Sequence, residues 1–260
     1  MQIQKITTTI KELEAMKNYP KELFYLGNRA LLNRPKVSIV GTRRPSAYTK
    51  KMTHLIAQHL SQRGVVTVSG AAMGVDALAH IGAGVSNTIA VVANSLDIRY
   101  PAVNRDLIAS IEKDGLVLSQ FPTPFKARAW SFVVRNELVV ALGDILVVTQ
   151  ADLNSGSLRS VEYALAMGKE IHVLPHHIDE SLGTNQLLEA GLAKPIYDIE
   201  KFANRFGNVP SNQTIDRDEF FYFCQNSPTL DEAIERFSAR VYEAELEGII
   251  RIENGLVHLA

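Results

Sequence analysis

Residues 36–48 read KVSIVGTRRPSAY, a short apolar run followed at once by a glycine, two adjacent arginines and a proline. Val and Ile dominate the run, which is typical of a strand that is buried on both faces of a parallel sheet. The polar residues after the glycine predict a loop at the carboxyl end of that strand. Ligands of open parallel sheets bind just outside such ends, so this loop is the first candidate binding site.

Five more apolar runs follow, and stretches with helical periodicity separate them. The runs are VVTVS (65–69), TIAVVA (88–93), LVLS (116–119), ILVVT (145–149) and EIHVL (170–174). Helices are predicted over Tyr48–Arg63, Val103–Lys113, Phe132–Leu142 and Leu158–Met167, with Gly64, Gly115, Gly143 and Gly168 at their ends. This alternation predicts a doubly wound α/β domain with a mostly parallel sheet.

Composition changes near residue 208. The segment around 205–217 is polar and turn-rich, which indicates a linker. Three short helical patterns follow near 218–226, 229–237 and 239–247, and two apolar strands then flank Asn254-Gly255, a strong hairpin signal. We therefore predict a short helical N-terminal extension over 1–34, an α/β domain over 35–207 and a winged-helix-like domain over 208–260.

Charge is distributed unevenly along the chain. The 260 residues carry a net charge of −1, but residues 209–260 hold 4 Lys and Arg against 10 Asp and Glu, a net −6. The remainder holds 23 against 18, a net +5. A mildly basic α/β part favours an anionic partner, and the acidic C-terminal part favours a different one.

Localisation is predicted from what the sequence lacks. No apolar run approaches the ~20 residues needed to span a bilayer, and the N-terminus has no signal-peptide block. A single cysteine, Cys224, fits a reducing compartment. We expect a cytoplasmic protein without a membrane partner.

Five loops that follow strands are rich in small residues. They are GTRRPS (41–46), SGAAMG (69–74), ANSLD (93–97), SQFPTPFKARAWSF (119–132) and QADLNSGS (150–157). Glycine permits close approach of the backbone, and the helix that follows presents unpaired N–H groups, so such loops favour phosphates. No dinucleotide fingerprint or P-loop is present. His176 and His177 are adjacent and lack zinc-ligand spacing, so we expect solvent-facing loop histidines.

Arginines and aromatic residues concentrate in two of these loops. Arg43 is well placed for bidentate phosphate contact, whereas Arg44 fits that role and a structural ion pair equally well. The stretch 121–136 interleaves aromatic residues (Phe125, Trp130, Phe132) with cations (Lys126, Arg128, Arg135). Rings that stack bases beside charges that follow phosphates are typical of a single-stranded nucleic-acid site.

In combination, these motifs resemble the DNA-processing protein A (DprA, also called Smf) family. The motifs that carry the resemblance are GTRRPS, SGAAMGVDALAH, TIAVVANSLDIRYP, GLVLSQF, FVVRNELVVAL, SGSLRSVEYAL and LGTNQLLEAG, in that order, between residues 39 and 191. The resemblance implies an extended Rossmann-like domain that binds single-stranded DNA, forms a homodimer and loads the recombinase RecA during natural transformation. It also implies a protein that is not an enzyme and that needs neither a metal nor a cofactor.

The resemblance also implies roles for particular residues. Arg43, Gly70 and Ala71 would meet the DNA backbone, and Phe132 would stack a base beside the donors Arg135 and Asn136. Ser155, Gly156 and Ser157 would add donors at a helix start. Some relatives have a lysine at the position of Ala129, and Lys126 or Arg128 would replace it here.

The chain departs from the family pattern at several positions. Met73 stands where many members have Arg, Gln120 where Glu is usual and Glu137 where a second Arg is usual. The net −6 of the C-terminal part would repel phosphate, which favours a protein contact there, with RecA or another competence protein.

An enzymatic alternative is a nucleotide hydrolase similar to the cytokinin-activating phosphoribohydrolases. Those enzymes carry P-G-G-x-G-T-x-x-E after a late strand. The loop QADLNSGSLRSVE has one of the three glycines, and Glu162 follows Gly156 by six residues. The comparison favours binding over hydrolysis.

Overall fold

The computed structural model describes residues 2–209, 219–224, 227–238, 240–246 and 249–259. The chain divides into two compact units, Met1–Pro210 and Ser211–Ala260. Each unit has a hydrophobic core of its own.

The N-terminal unit is built on a sheet that has nine strands among the described residues. The strands are β1 (Gln4–Lys5), β2 (Phe24–Gly27), β3 (Lys36–Val40), β4 (Val66–Ser69), β5 (Thr88–Val91), β6 (Leu116–Ser119), β7 (Ile145–Val148), β8 (Ile171–Val173) and β9 (Lys194–Pro195). Their order is β1-β2-β6-β5-β4-β3-β7-β8-β9. The seven strands from β6 to β9 pair in parallel, and β2 joins the edge at β6 antiparallel. The predicted mostly parallel sheet is confirmed.

Helices cover both faces of the sheet. They are α1 (Ala47–Gln62), α2 (Val75–Ala83), α3 (Arg105–Asp114), α4 (Ala129–Leu142), α5 (Gly156–Ala166), α6 (Leu182–Glu189) and α7 (Ile199–Ala203). Alternate residues of β7 show the division: Ile145 and Val147 pack with α1 and α2, whereas Leu146 and Val148 pack with α4 and α5. The fold is therefore the doubly wound, Rossmann-like one that the sequence predicts.

The chain changes direction at β3. From β3 it continues outward through β4, β5 and β6, and it then returns to the other side of β3 for β7. Val37 to Val40 pair with Ile145 to Val148. Loops diverge at such a switch point and leave a crevice at the carboxyl ends of the two strands.

The N-terminal segment differs from the predicted helical extension. Residues 4–33 form β1, β2 and two short 3-10 helices, Lys11–Ala15 and Arg29–Asn33. Leu13 is fully buried, and the Glu12 carboxylate lies 2.6 Å from the ammonium group of buried Lys36. Strand β2 covers β6, which would otherwise be an exposed edge of the sheet. Tertiary contacts therefore determine the structure of this segment.

Helix α4 begins at Ala129, three residues before the predicted start at Phe132. The Arg128 N–H donates to Ser131 Oγ over 2.9 Å, and that hydroxyl donates to the Arg128 carbonyl. Because this capping satisfies backbone groups of the first turn, Trp130 belongs to the helix and not to the loop.

The described residues of the C-terminal unit hold the three helices and the hairpin that the sequence predicts. They are α8 (Glu219–Cys224), α9 (Leu230–Phe237), α10 (Arg240–Leu246), β10 (Ile250–Glu253) and β11 (Leu256–Leu259). Asn254 and Gly255 both have positive φ, as the tight hairpin turn requires. Residues 210–217 of the predicted linker lie outside the described residues.

Candidate nucleic-acid interface

Two arginines flank one aromatic ring at the carboxyl ends of the central strands. The guanidinium carbon of Arg43, in the loop after β3, lies 5.6 Å from the centre of the Phe132 ring. That of Arg135, one turn along α4, lies 5.9 Å from the same centre. Arg43 is exposed, Phe132 is half-buried and Arg135 is buried. We call these three residues the Phe132 site.

The buried arginine is paired with a buried carboxylate. Arg135 Nη1 lies 3.5 Å from Asp76 Oδ2, in the first turn of α2, and Arg135 Nε makes no hydrogen bond within the described part of the chain. Burial raises the pKa of Asp76, although the charge of Arg135 and a hydrogen bond from the Ala72 N–H oppose that shift. Burial and the charge of Arg135 lower the pKa of His80 to about 3, so this histidine is neutral. One donor of the guanidinium, Nε, is thus buried and unpaired among the described residues.

Gly70 has a structural role in the site. A Cβ added at Gly70 would lie 1.1 Å from Arg135 Nη1, so a side chain here would displace the guanidinium. Gly70 and Ala71 are both buried, and the Ala71 carbonyl accepts a hydrogen bond from Asn104 Nδ2. Gly70 therefore packs against Arg135, and it also lines a cleft together with Phe132. That Gly70 and Ala71 meet the DNA backbone stays a prediction.

Two clefts open at the Phe132 ring. One is lined by Arg43, Asn94, Met73 and Tyr100, whose ring centre lies 6.2 Å from that of Phe132. The other lies in the crevice between β3 and β7. It is lined by Arg43, Asn136, Gly156, Ser157 and Arg159. Phe132 and Arg135 contribute to both clefts.

The start of α5 forms one wall of the second cleft. Ser155 is the N-cap residue, but its hydroxyl is buried and makes no hydrogen bond within the described residues. Gly156 is exposed, and the space beside its Cα is open. Asn136 Nδ2 lies 3.5 Å from the Gly156 carbonyl oxygen. Unpaired N–H groups at a helix start favour an anion, so the cleft suits a phosphate.

The predicted aromatic and basic stretch separates into two surfaces. Phe132 faces the clefts, whereas Phe125 stacks on Phe121 and both contact Trp130. Lys126 and Arg128 are exposed and line neither cleft at Phe132.

Arg44 is also exposed and lines neither of these clefts. Its backbone N–H donates to Thr42 Oγ1 over 3.2 Å. The two adjacent arginines therefore differ. Arg43 lies against the Phe132 ring, whereas Arg44 lines neither cleft.

Several residues of the site were not predicted from the sequence. Tyr100 follows the candidate loop ANSLD by three residues, and its ring lies beside Phe132 and lines the first cleft. Arg159 lies one turn into α5. Only the fold identifies Asp76 as the partner of Arg135.

The catalytic alternatives find little support in the geometry. The His176 side chain is buried, and its Nε2 bonds the Thr149 carbonyl over 2.7 Å, which corrects the expected solvent-facing histidine. Glu162 pairs with Arg159 at an exposed position and is not among the residues that line the clefts. Within the described residues, no group of three metal-ligating side chains is found.

Among the described residues, no helix combines the length and the apolar character that crossing a membrane requires.

Comparison with known proteins gives one consistent family. Residues 7–207 match the family model described as DNA recombination-mediator protein A. The chain is 32% identical over 193 residues to DNA processing protein DprA of Bacillus subtilis and 35% identical over 184 residues to that of Streptococcus pneumoniae. These alignments cover 72% and 69% of this chain but 65% of each relative, so the match spans somewhat less than two thirds of these curated proteins.

Solved structures agree with the sequence matches. The fold is similar to DNA processing protein A from Helicobacter pylori, whose structure concerns its single-stranded DNA binding mode, with a TM-score of 0.77 and 41% identity. That alignment covers 78% of this chain and 95% of the other. The Streptococcus pneumoniae protein gives a TM-score of 0.72 at 32% identity, over 79% and 74% of the two chains. The chain therefore belongs to the DNA recombination-mediator protein A family, to which its sequence motifs and its fold both assign it.

Proposed function

We propose that the protein binds single-stranded DNA across the carboxyl ends of β3, β4 and β7. The observation that carries this proposal is the Phe132 ring, held between an exposed and a buried arginine beside the open start of α5. A ring can stack a base, and guanidinium groups and helix N–H groups can bind the phosphates on either side. The single-stranded DNA binding mode of the Helicobacter pylori protein supports the proposal.

The recess around Phe132 favours a single strand over a duplex. The ring is half-buried between two clefts, so a base must leave its neighbours to stack on it. Bases in a duplex are already stacked and paired, and extruding one costs a few kcal/mol. A single strand avoids that cost.

The main experiment is a fluorescence-anisotropy titration of labelled poly-dT and of a matched duplex at several salt concentrations. We expect tight binding of the single strand that weakens as salt rises, because phosphate contacts release counterions. Equal affinity for the duplex, or no binding at low salt, contradicts the proposal. Release of base from AMP in a parallel assay would support the phosphoribohydrolase-like alternative.

The Arg43→Ala variant tests the exposed arginine. Loss of one charge-assisted contact should weaken oligonucleotide binding by about 1 kcal/mol, or roughly fivefold. One phosphate contact fewer should reduce the magnitude of the salt slope by about 0.7. Salt-dependent anisotropy titrations measure both quantities.

The adjacent residue supplies a charge-matched control. Arg44→Ala removes the same charge from a side chain outside the clefts, so affinity and slope should change less than in Arg43→Ala. Equal effects of the two variants would show that the region acts only through its overall charge. That result would remove Arg43 from a specific contact.

We further propose that the protein acts in DNA processing during natural transformation and delivers its single strand to RecA. In this role it is a homodimer, works in the cytoplasm and is not an enzyme. The names of the curated relatives support the DNA-processing role. A strand-exchange assay in which RecA must displace a single-strand binding protein, with and without this protein, tests the delivery step. If the protein does not accelerate strand exchange, the delivery of the strand to RecA is contradicted and the proposed DNA binding is not.

The acidic C-terminal unit is proposed to contact a protein, RecA or another competence factor. Its net charge of −6 over residues 209–260 would repel phosphate. Deletion of 209–260 should therefore change single-strand affinity less than twofold, or by less than about 0.4 kcal/mol. Anisotropy on the truncated chain measures this, and a large loss of affinity would place DNA contacts in the C-terminal unit.

A further inference from the structure

A second aromatic surface lies next to the Phe132 site and has no role in it. Phe121 and Phe125 stack with ring centres 4.4 Å apart, and the Trp130 ring meets both edge-on at 5.6 Å. Trp130 is nevertheless 51% exposed. A large ring that is supported from behind and open in front is typical of a contact surface.

The ring that supports Trp130 is held in place by the loop after β5. The Ser95 N–H donates to the Phe125 carbonyl over 2.9 Å, and the Phe125 N–H donates to Ser95 Oγ over 2.8 Å. Trp130 itself lies in the capped first turn of α4. Because both elements are fixed, a ligand that stacks on Trp130 loses little free energy to ordering of the protein.

The charges around this surface favour an anionic ligand. Lys126 and Arg128 are exposed, and no acidic side chain in the described ranges pairs with either. Two free cations beside an open ring match the phosphates and the bases of a nucleic-acid strand.

Helix geometry relates the two aromatic surfaces. Trp130 and Phe132 are two residues apart in the first turn of α4, which places them about 200° apart around the helix axis. A helix with its side chains is about 10–12 Å across. At the rise of about 3.4 Å per nucleotide of a stacked strand, the two rings are about three nucleotides apart.

We propose that Trp130 is a second base-stacking platform for the same single strand, which crosses the start of α4 from Phe132 to Trp130. Lys126 and Arg128 bind phosphates on the Trp130 side. This inference rests on the proposed function and extends it. It assigns the strand a path across the protein surface and gives a role to two cations outside the clefts.

Trp130 is the only tryptophan in the chain, so its fluorescence reports on this platform directly. Unlabelled oligothymidylates of about 4 to about 16 nucleotides, the range of single-strand site sizes, are titrated against the full-length protein. We expect the shortest oligonucleotides that bind to leave Trp130 emission unchanged and longer ones to quench it. Placing abasic nucleotides about three positions from one end of a long oligonucleotide should reduce the quenching.

Two variants separate stacking from packing. Trp130→Leu keeps an apolar contact with Phe121 and Phe125 but cannot stack, and we expect about five- to tenfold weaker binding of long oligonucleotides only. Trp130→Phe retains an aromatic ring and should recover most of that loss. Melting temperatures of both variants show whether the fold is intact.

The outcomes distinguish this inference from the proposed function. Binding of long oligonucleotides by anisotropy, with unchanged Trp130 emission and an unaffected Trp130→Leu variant, overturns the second platform and leaves the Phe132 site in place. Absence of binding at every length overturns both.

Discussion

Arg135→Ala is expected to lower the free energy of unfolding by about 3–5 kcal/mol at neutral pH, as does removal of one partner of other buried ion pairs. The variant leaves Asp76 buried without its countercharge. The buried carboxylate can also become neutral by binding a proton, and the cost of protonation limits the loss of stability. For a carboxyl group of ordinary pKa about 3.9, that cost is about 4 kcal/mol at pH 7. Urea unfolding of the variant and the natural chain measures the difference.

The pH dependence of this loss has a definite sign. Burial raises the folded-state pKa of Asp76, and loss of Arg135 raises it further, so the carboxyl group favours the folded state when protonated. The variant is least destabilised below the unfolded pKa, and the deficit grows as pH rises towards the folded pKa. The cost of protonating the carboxyl group, which limits the deficit, falls from about 4 kcal/mol at pH 7 to about 1.5 kcal/mol at pH 5. A deficit that does not change with pH would contradict the buried-charge explanation.

A second variant removes both charges. In Asp76→Asn combined with Arg135→Ala, no unpaired charge stays buried, so the double variant should be more stable at neutral pH than Arg135→Ala alone. Strict additivity of the two single effects would mean that the side chains do not interact in the folded protein.

Phe132→Ala is expected to weaken single-strand binding by about 1–3 kcal/mol, or roughly 5- to 150-fold. The ring lines both clefts, and Arg43 and Arg135, which also line both, lie against it. Its loss removes the stacking face and also the support that positions the two guanidinium groups. Anisotropy with labelled poly-dT measures the effect.

A structural role for Phe132 would give a different result. Phe132→Leu fills a similar apolar space without a stacking face, so it should bind DNA nearly as weakly as Phe132→Ala while its melting temperature stays closer to that of the natural chain. If Phe132→Leu binds normally and Phe132→Ala only melts earlier, the ring is a packing residue.

Local sequence patterns account for much of the fold. The run ILVV is apolar at every position and KVSIV at three of five, and both are buried on both faces in the centre of the sheet. The Asn254-Gly255 turn follows from backbone conformations that few other residue pairs adopt. The central strands and this turn depend on residues that are close together in the sequence, so local sequence patterns predict them.

The N-terminal segment shows where local patterns fail. KELEA has the composition of a helix, yet it forms only a short 3-10 helix, and FYLG pairs with β6 at the edge of the sheet. Neither outcome is encoded within the segment. The FYLG strand depends on the uncovered edge of β6, about ninety residues further along the chain, whereas KELEA is held by buried Leu13 and by the Glu12–Lys36 ion pair.

By itself, the sequence determined the doubly wound α/β architecture, the loops at the strand ends and the family. It also singled out Arg43 and Phe132, because a cation after a glycine and an aromatic residue among cations are local signals. Only the tertiary structure decided which of these side chains share a surface. It packed Gly70 against Arg135, paired Arg135 with Asp76, brought Tyr100 to the ring and turned Trp130 to the other side of α4. The physical reason is that such contacts join loops from different strands, and their distances are fixed by the packing of the sheet and helices rather than by spacing along the chain.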